Sequence, residues 1–307
     1  MSRILDRIGN GVFKTAKSFA TAAGFERSVW GRGLLARFNI VGEKVGRVLV
    51  LRGRPVRVDG HLVYLAGRAG PSISFSTELL SERYEQEIAK MFKETLRPGM
   101  NVLDVGAHVG CHALLAARLV GPEGRVYAFE PSPDNFALLQ KNIALNHYKN
   151  IVPIHKAVAE KTGTVCFHLS AEGNDRNSIY ASARATHLSK TLEVPTLSLD
   201  DFLEQKGWPQ IHLVKIDVEG AEPLVLRGMT KLLQRSSELK LIVEFAPACI
   251  QESGCAPLSF LEELASHEFH IHVLQAEGSS TPLQSTGFAS FVTQVEAEGM
   301  RNLVCYK

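Results

Sequence analysis

Four short apolar runs in this sequence each carry an acidic side chain at or near the carboxyl end, a placement that points to ligand chemistry in an α/β chain. Asp104 lies toward the end of Val102–Val105. Gly106 and Gly110 follow, with Ala107 and His108 between them. Glu130 closes Val126–Phe129, twenty residues beyond Gly110. A carboxylate at that spacing accepts both hydroxyls of a ribose, so the expected ligand contains adenosine. Two such ligands compete. A pyrophosphate needs the close backbone approach that three glycines give in G-x-G-x-x-G, and the middle of this loop is Ala107-His108. Asp104 would also repel phosphates. S-adenosylmethionine has no phosphate but carries an ammonium and a sulfonium, and both suit a carboxylate beside the glycine loop. The residues favour a methyl donor over a nicotinamide dinucleotide.

The third acidic segment is Lys215-Ile216-Asp217-Val218-Glu219-Gly220-Ala221-Glu222, and Glu244 supplies a fourth strand end. Asp217 is the candidate group beside the transferring methyl, orienting the methionine end or accepting a proton. An alcohol is a poor nucleophile while protonated, so a positioned base helps. Glu219 and Glu244 are its candidate catalytic companions. The dipole of the following helix by itself also favours acids at 219 and 222, and Asp104 has a competing reading as a helix cap.

These residues need a scaffold that brings strand ends together. From Asn101 onward, strands and helices alternate, which predicts a parallel sheet covered on both faces. Strands are expected at 101–105, 125–130, 151–158, 213–216, 241–245, near 269–275 and at 301–306. Helices are expected at 110–120, from Ser132 to about Asn146, at 200–206, 221–235 and 258–267. Residues 163–170 and 191–197 read as an added hairpin, with a polar turn at 173–178. Upstream, Val48–Leu51, Val56–Val58 and Leu62–Leu65 flank Asp59-Gly60 and predict a small antiparallel sheet. Glu78–Leu96 reads as a helix stopped by Pro98-Gly99. Residues 1–75 are therefore read as a basic extension and 76–307 as the main domain.

Composition narrows the function. Residues 1–57 hold twelve Lys/Arg against three Asp/Glu, while the rest holds 22 against 29. In the leader, Ile4, Ile8, Val12, Phe19 and Ala23 recur at helical spacing. A basic amphipathic helix of this kind can lie on an anionic membrane, and a helix docked on the domain's own side is the plainer alternative. The acidic body argues against a nucleic-acid partner. No apolar run is long enough to predict a membrane span. The five cysteines lack C-x-x-C pairing, which points to a reducing, cytoplasmic setting and away from structural zinc. His267-x-x-His270-x-His272 crosses from a helix end into a strand, so no histidine metal site is expected. A divalent ion between Asp217 and Glu244 stays an open alternative.

Five ordered motifs then carry a resemblance: Asp-Val-Gly-Ala-His-Val-Gly at 104–110, Phe-Glu-Pro-Ser-Pro at 129–133, Lys-Ala-Val-Ala at 156–159, Val-Pro-Thr-Leu-Ser-Leu-Asp-Asp at 194–201 and Lys-Ile-Asp-Val-Glu-Gly-Ala-Glu at 215–222. Together they resemble the FkbM family of S-adenosylmethionine-dependent methyltransferases, from about Tyr84 to Glu244. The resemblance implies a Rossmann-like, seven-stranded class I methyltransferase fold with a small N-terminal helix/β extension. It also implies methyl transfer to a hydroxyl of a sugar, glycolipid or polyketide, a small-molecule or glycan acceptor. Tyr84 and Glu85 match a Tyr-Glu that the family places against the cofactor, and Pro131 and Ala157 fall in its cofactor motifs. Two departures stand out: His108 where the family usually has Asn, and His112 where it usually has an aromatic residue. A nucleotide-binding oxidoreductase and a non-catalytic cofactor-binding module are the rival readings.

Overall fold

The computed structural model describes residues 55–65, 85–170, 177–180 and 188–307. The leader, Val48–Leu51, Tyr84 and residues 173–176 of the polar turn lie outside them. The chain enters through an antiparallel hairpin of β1 (Val56–Val58) and β2 (His61–Val63). Asp59 and Gly60 both take positive φ, as a tight primed turn requires. The hairpin is built into the main domain, across the expected border at residue 75. Val56, Val63 and Leu65 join the core formed by the first helices. Asn142 and Asn146 clamp the β2 segment by exchanging side-chain hydrogen bonds with the Tyr64 and Leu62 backbones.

Helix α1 (Gln86–Thr95) leads into β3 (Asn101–Val105), α2 (Cys111–Val120), β4 (Arg125–Phe129), α3 (Pro133–Leu145) and β5 (Ile151–Ile154). Next comes a three-stranded insert of β6 (Ala157–Val158), β7 (Gly163–Ser170) and β8 (Leu188–Leu197), then α4 (Leu199–Gln205). The chain continues through β9 (Leu213–Ile216), α5 (Glu222–Arg227), α6 (Thr230–Arg235), β10 (Lys240–Phe245), α7 (Pro247–Glu252) and α8 (Pro257–Ser266). It ends with β11 (His270–Leu274), β12 (Ser280–Pro282), a 3₁₀ turn, α9 (Phe288–Glu298) and β13 (Arg301–Tyr306).

The main sheet has the order β12-β11-β13-β10-β9-β3-β4-β5. Its β5-to-β10 portion is parallel, and the remaining pairings are antiparallel. This is the expected seven-stranded sheet plus an eighth edge strand, β12. Helices cover both faces, so Leu103, Val105, Leu213 and Val214 are wholly buried and their strands are almost continuously apolar. One core packs α1–α3 on one face, and a second packs α4–α9 on the other. The single helix expected at 221–235 is two. Asp200 explains the break: its carboxylate accepts from the amides of Lys231 (2.8 Å) and Leu232 (3.0 Å) and so caps α6. The stretch 276–300, which the sequence leaves without elements, holds β12 and α9.

Candidate active site

The carboxyl ends of β4, β3, β9 and β10 share one edge of the sheet, and a cleft of about 360 Å³ opens there. Such edges are where open α/β sheets bind ligands. Six carboxylates line it: Glu85, Glu87, Glu130, Asp217, Glu219 and Glu244. Lys156 is the only lysine or arginine among the lining residues. A field of that sign attracts cations and repels phosphates.

Glu130 is held in a fixed pose by the loops around it. Its Oε2 accepts from the amide of His108 (2.9 Å) and its Oε1 from the amide of Ser132 (2.8 Å), with Asn135 Nδ2 at 3.4 Å. His108 reaches it because the β3–α2 loop turns through left-handed backbone at Gly106, His108 and Gly110. Ser132 reaches it because Pro133 opens α3 immediately beyond. Burial pushes the Glu130 pKa up to about 7, against the pull of the two amides and Asn135. A carboxylate so oriented at a cleft wall is a ready acceptor for a ligand's hydroxyls.

The β9 end gathers a second group. Lys215 Nζ donates to Asp217 Oδ2 at 2.7 Å, and the lysine side chain is only 2% exposed. Burial acts to lower the Lys215 pKa, but the carboxylates of Asp217, Glu85 and Asp104 overrule it and keep the ammonium charged. Glu222 braces the loop, accepting from the amides of Val218 (3.1 Å) and Gly220 (3.3 Å); its pKa stands at about 7 through burial. Within that loop Glu219 takes left-handed backbone, and Ser178 of the insert donates to its carbonyl at 2.7 Å. Glu244 is pushed well above the usual carboxylate range, first by burial and then by Glu219 and Asp217. Among the described residues, Asp217, Glu219 and Glu244 bring ligand oxygens within 4.8 Å of one another.

The sequence profile of the methyltransferase FkbM domain matches residues 104–276, more than half of the chain and the stretch that supplies most of this cleft. The chain belongs to the FkbM methyltransferase family. It is 30% identical over 155 residues to the hexuronic acid methyltransferase AglP of Haloferax volcanii, covering 50% of this chain and 59% of that protein. It is 31% identical over 160 residues to the 31-O-demethyl-FK506 methyltransferase FkbM of Streptomyces tacrolimicus, covering 44% and 61%. The 2-O-methyltransferase NoeI of Sinorhizobium fredii is 27% identical over 152 residues, covering 46% and 61%. The matched stretch thus spans about three fifths of each of these relatives.

In this FkbM-family chain, Glu85, Gly106, Glu130, Pro131, Ala157, Asp217, Glu219 and Glu244 line the cleft. Three expected cofactor residues do not. Asp104 is 1% exposed and lies beneath the floor, where both carboxylate oxygens lack a well-formed hydrogen bond. Burial raises its pKa to about 6, opposed mainly by the charge of Lys215. Ala107 turns into the α1–α3 core, and Gly110 packs against Leu139 of α3. The capping alternative for Asp104 has one contact in its favour: the Ala113 amide, in the first turn of α2, draws the Asp104 pKa down. Gly106 has a second reason to be glycine, since a Cβ there would sit 1.7 Å from the Asp217 carbonyl oxygen.

Several functional side chains were not read from the sequence. Lys215 gives a signal in hindsight, being a lysine inside an apolar strand. Asn135 and Glu222 act through contacts that no spacing announces. His112 is more than packing against Phe92: its Nδ1 stands 3.4 Å from Glu85 Oε2, and burial keeps the ring neutral. The three histidines of 267–272 do not converge. His272 packs edge-on against Tyr306.

Proposed function

We propose that this chain is an S-adenosylmethionine-dependent O-methyltransferase acting on a hydroxyl of a sugar, glycolipid or polyketide. The observation that carries this reading is Glu130, fixed by two backbone amides at the β4 end of an acidic, phosphate-averse cleft. Family membership and the names of the relatives agree with it, since one is named for a hexuronic acid and another for 31-O-demethyl-FK506. The residues present fit the cofactor. Glu130 is the ribose acceptor, and Pro131 and Ala157 give apolar wall beside it. Glu85 and the buried charge of Asp104 favour the cationic methionine end. When bound, S-adenosylmethionine supplies a methyl on a sulfonium that departs as a neutral thioether.

The chain's own part is alignment and proton transfer. Asp217 is pinned by Lys215 at the β9 end, so its carboxylate meets an incoming hydroxyl in one pose. It takes the hydroxyl proton as the acceptor oxygen forms its new bond to carbon. Phe167, Asn177 and Ile179 of the insert wall the cleft on the side left for the acceptor. No helix among the described residues is long and apolar enough to cross a membrane. The basic leader supports peripheral membrane contact, and deletion of residues 1–25 should abolish sedimentation with anionic liposomes. The activity itself is tested by incubating the full chain with S-adenosylmethionine bearing a labelled methyl and a panel of uronic acids, glycolipids and macrolides. Label should enter an ether at one hydroxyl. Cofactor binding with no turnover on any hydroxyl acceptor would favour a non-catalytic module.

A further inference from the structure

We propose that Asp217, Glu219 and Glu244 form a site for a hard divalent cation of the Mg²⁺ type, set on the acceptor side of the cleft. Their ligand oxygens all lie within 4.8 Å of one another. Oxygens on opposite sides of one ion stand about 4.2–4.8 Å apart at the metal–oxygen distances of Mg²⁺ and Ca²⁺. Three carboxylates and no sulfur or imidazole make an oxygen-only set, which selects hard cations over zinc or copper.

Glu244 supplies an independent reason. Its side chain is 9% exposed, and its Oε2 is buried with no hydrogen-bond partner while facing two other carboxylates. A buried anion is expensive unless it is paired. The nearby ammonium does not serve it: Lys215 donates to Asp217 at 2.7 Å, and the buried Glu244 oxygen receives no hydrogen bond from it. A divalent ion gives the buried Glu244 oxygen a counter-charge, with Asp217 and Glu219 close enough to share it.

Position in the sheet gives the site its use. Along the edge, Glu130 stands at β4, Asp104 at β3, Asp217 at β9 and Glu244 at β10. Neighbouring strands are about 4.8 Å apart, so Glu244 lies roughly three strand spacings from the proposed ribose acceptor. The ion therefore sits at the far end of the cleft from the nucleoside. An ion held by three carboxylates keeps open positions, and these take two adjacent acceptor oxygens: a vicinal diol, or a hydroxyl beside a carboxylate. Bound to the ion, a hydroxyl loses its proton more readily. This also lets an acidic cleft accept an acidic sugar. The role assigned to the ion rests on the methyltransferase reading; the ion site itself does not.

The test is titration of chelator-stripped, full-length protein with Mn²⁺, following free Mn²⁺ by electron paramagnetic resonance. One saturable site per chain is expected. Glu244→Gln and Glu219→Gln, each with an intact melting transition, should weaken it by at least about tenfold. Mg²⁺ should compete, and excess chelator should stop methyl transfer. Absence of saturable Mn²⁺ binding in a folded protein overturns the proposal, as does unchanged affinity in both variants. S-adenosylhomocysteine binding, measured on the same sample, keeps the two readings apart. Its failure beside intact Mn²⁺ binding sinks the cofactor assignment and leaves the ion site standing.

Discussion

At the scale of single residues, the cleft depends on carboxylates whose freedom has been removed. Glu130 is fixed by two amides, and Asp217 by one buried ammonium. The two differ in what their loss should do. Asp217→Asn keeps the shape but takes from the buried Lys215 its nearest counter-charge, and breaking such a pair typically destabilises by about 3–5 kcal/mol. The expected outcome is a lowered melting temperature together with a fall in kcat that exceeds any loss of cofactor affinity, read by steady-state kinetics and calorimetry. Equal losses in both would move Asp217 from proton transfer to binding. The acids were legible in the sequence because each follows an apolar run, so its strand and edge could be read together. Their partners were not. Asn135 and Lys215 meet the acids because a helix start and a strand end turn them that way, Glu222 braces the β9–α5 loop through its backbone amides, and Asn302, opposite Glu244 on β13, lies far along the chain. Access to the cleft was also hidden: Asp104 and Glu130 are both buried carboxylates near strand ends, yet only Glu130 lines the cleft.

At the scale of elements, the site is a set of loops pressed against each other. Gly106 belongs to the β3–α2 loop, and the space for its side chain is taken by the backbone of the β9–α5 loop. Its φ of 83° adds a second barrier to any other residue. Gly106→Ala combines left-handed backbone strain with overpacking against a carbonyl that cannot rotate away, an expected loss of ~3 kcal/mol. Gly110→Ala presses instead on the flexible end of Leu139 and should be the milder change. Thermal melts of the two variants should rank them so; the reverse order would contradict this packing. Strands β3 and β9 were readable to within a residue because buried parallel strands are continuous apolar runs bounded by turns, and antiparallel β13 because Leu303–Cys305 is such a run as well. The split between α5 and α6 was not readable, because its cause, the Asp200 cap, sits thirty residues upstream. β12 was missed because Ser280-Thr281-Pro282 at a sheet edge carries no hydrophobic alternation.

At the scale of the whole molecule, the cleft stores negative charge that the protein alone does not neutralise. Glu130 and Glu222 stand at about 7, Asp104 at about 6, and Glu244 well above its ordinary value, all through burial. Raised carboxyl pKa values mean that the folded state holds protons the unfolded chain has released. Their stabilising contribution is therefore full below about pH 4, the ordinary carboxyl range, and is lost as pH rises through 6 to 7. The ligand-free protein should melt lower at pH 8 than at pH 5.5, and a cationic ligand should narrow that gap, because it favours the ionised acids. A melting temperature that climbs steadily to pH 8 without ligand would contradict the charge balance described. The central claim is that Glu130 and its acidic neighbours grip an adenosine that carries no phosphate. Calorimetric titration of wild-type and Glu130→Ala protein with S-adenosylhomocysteine and with NADH tests it most directly. Saturable binding of S-adenosylhomocysteine alone, weakened in the variant by ~100-fold for the loss of a charged acceptor, is the expected result. NADH binding in place of S-adenosylhomocysteine, or equal affinity in wild type and Glu130→Ala, would contradict it.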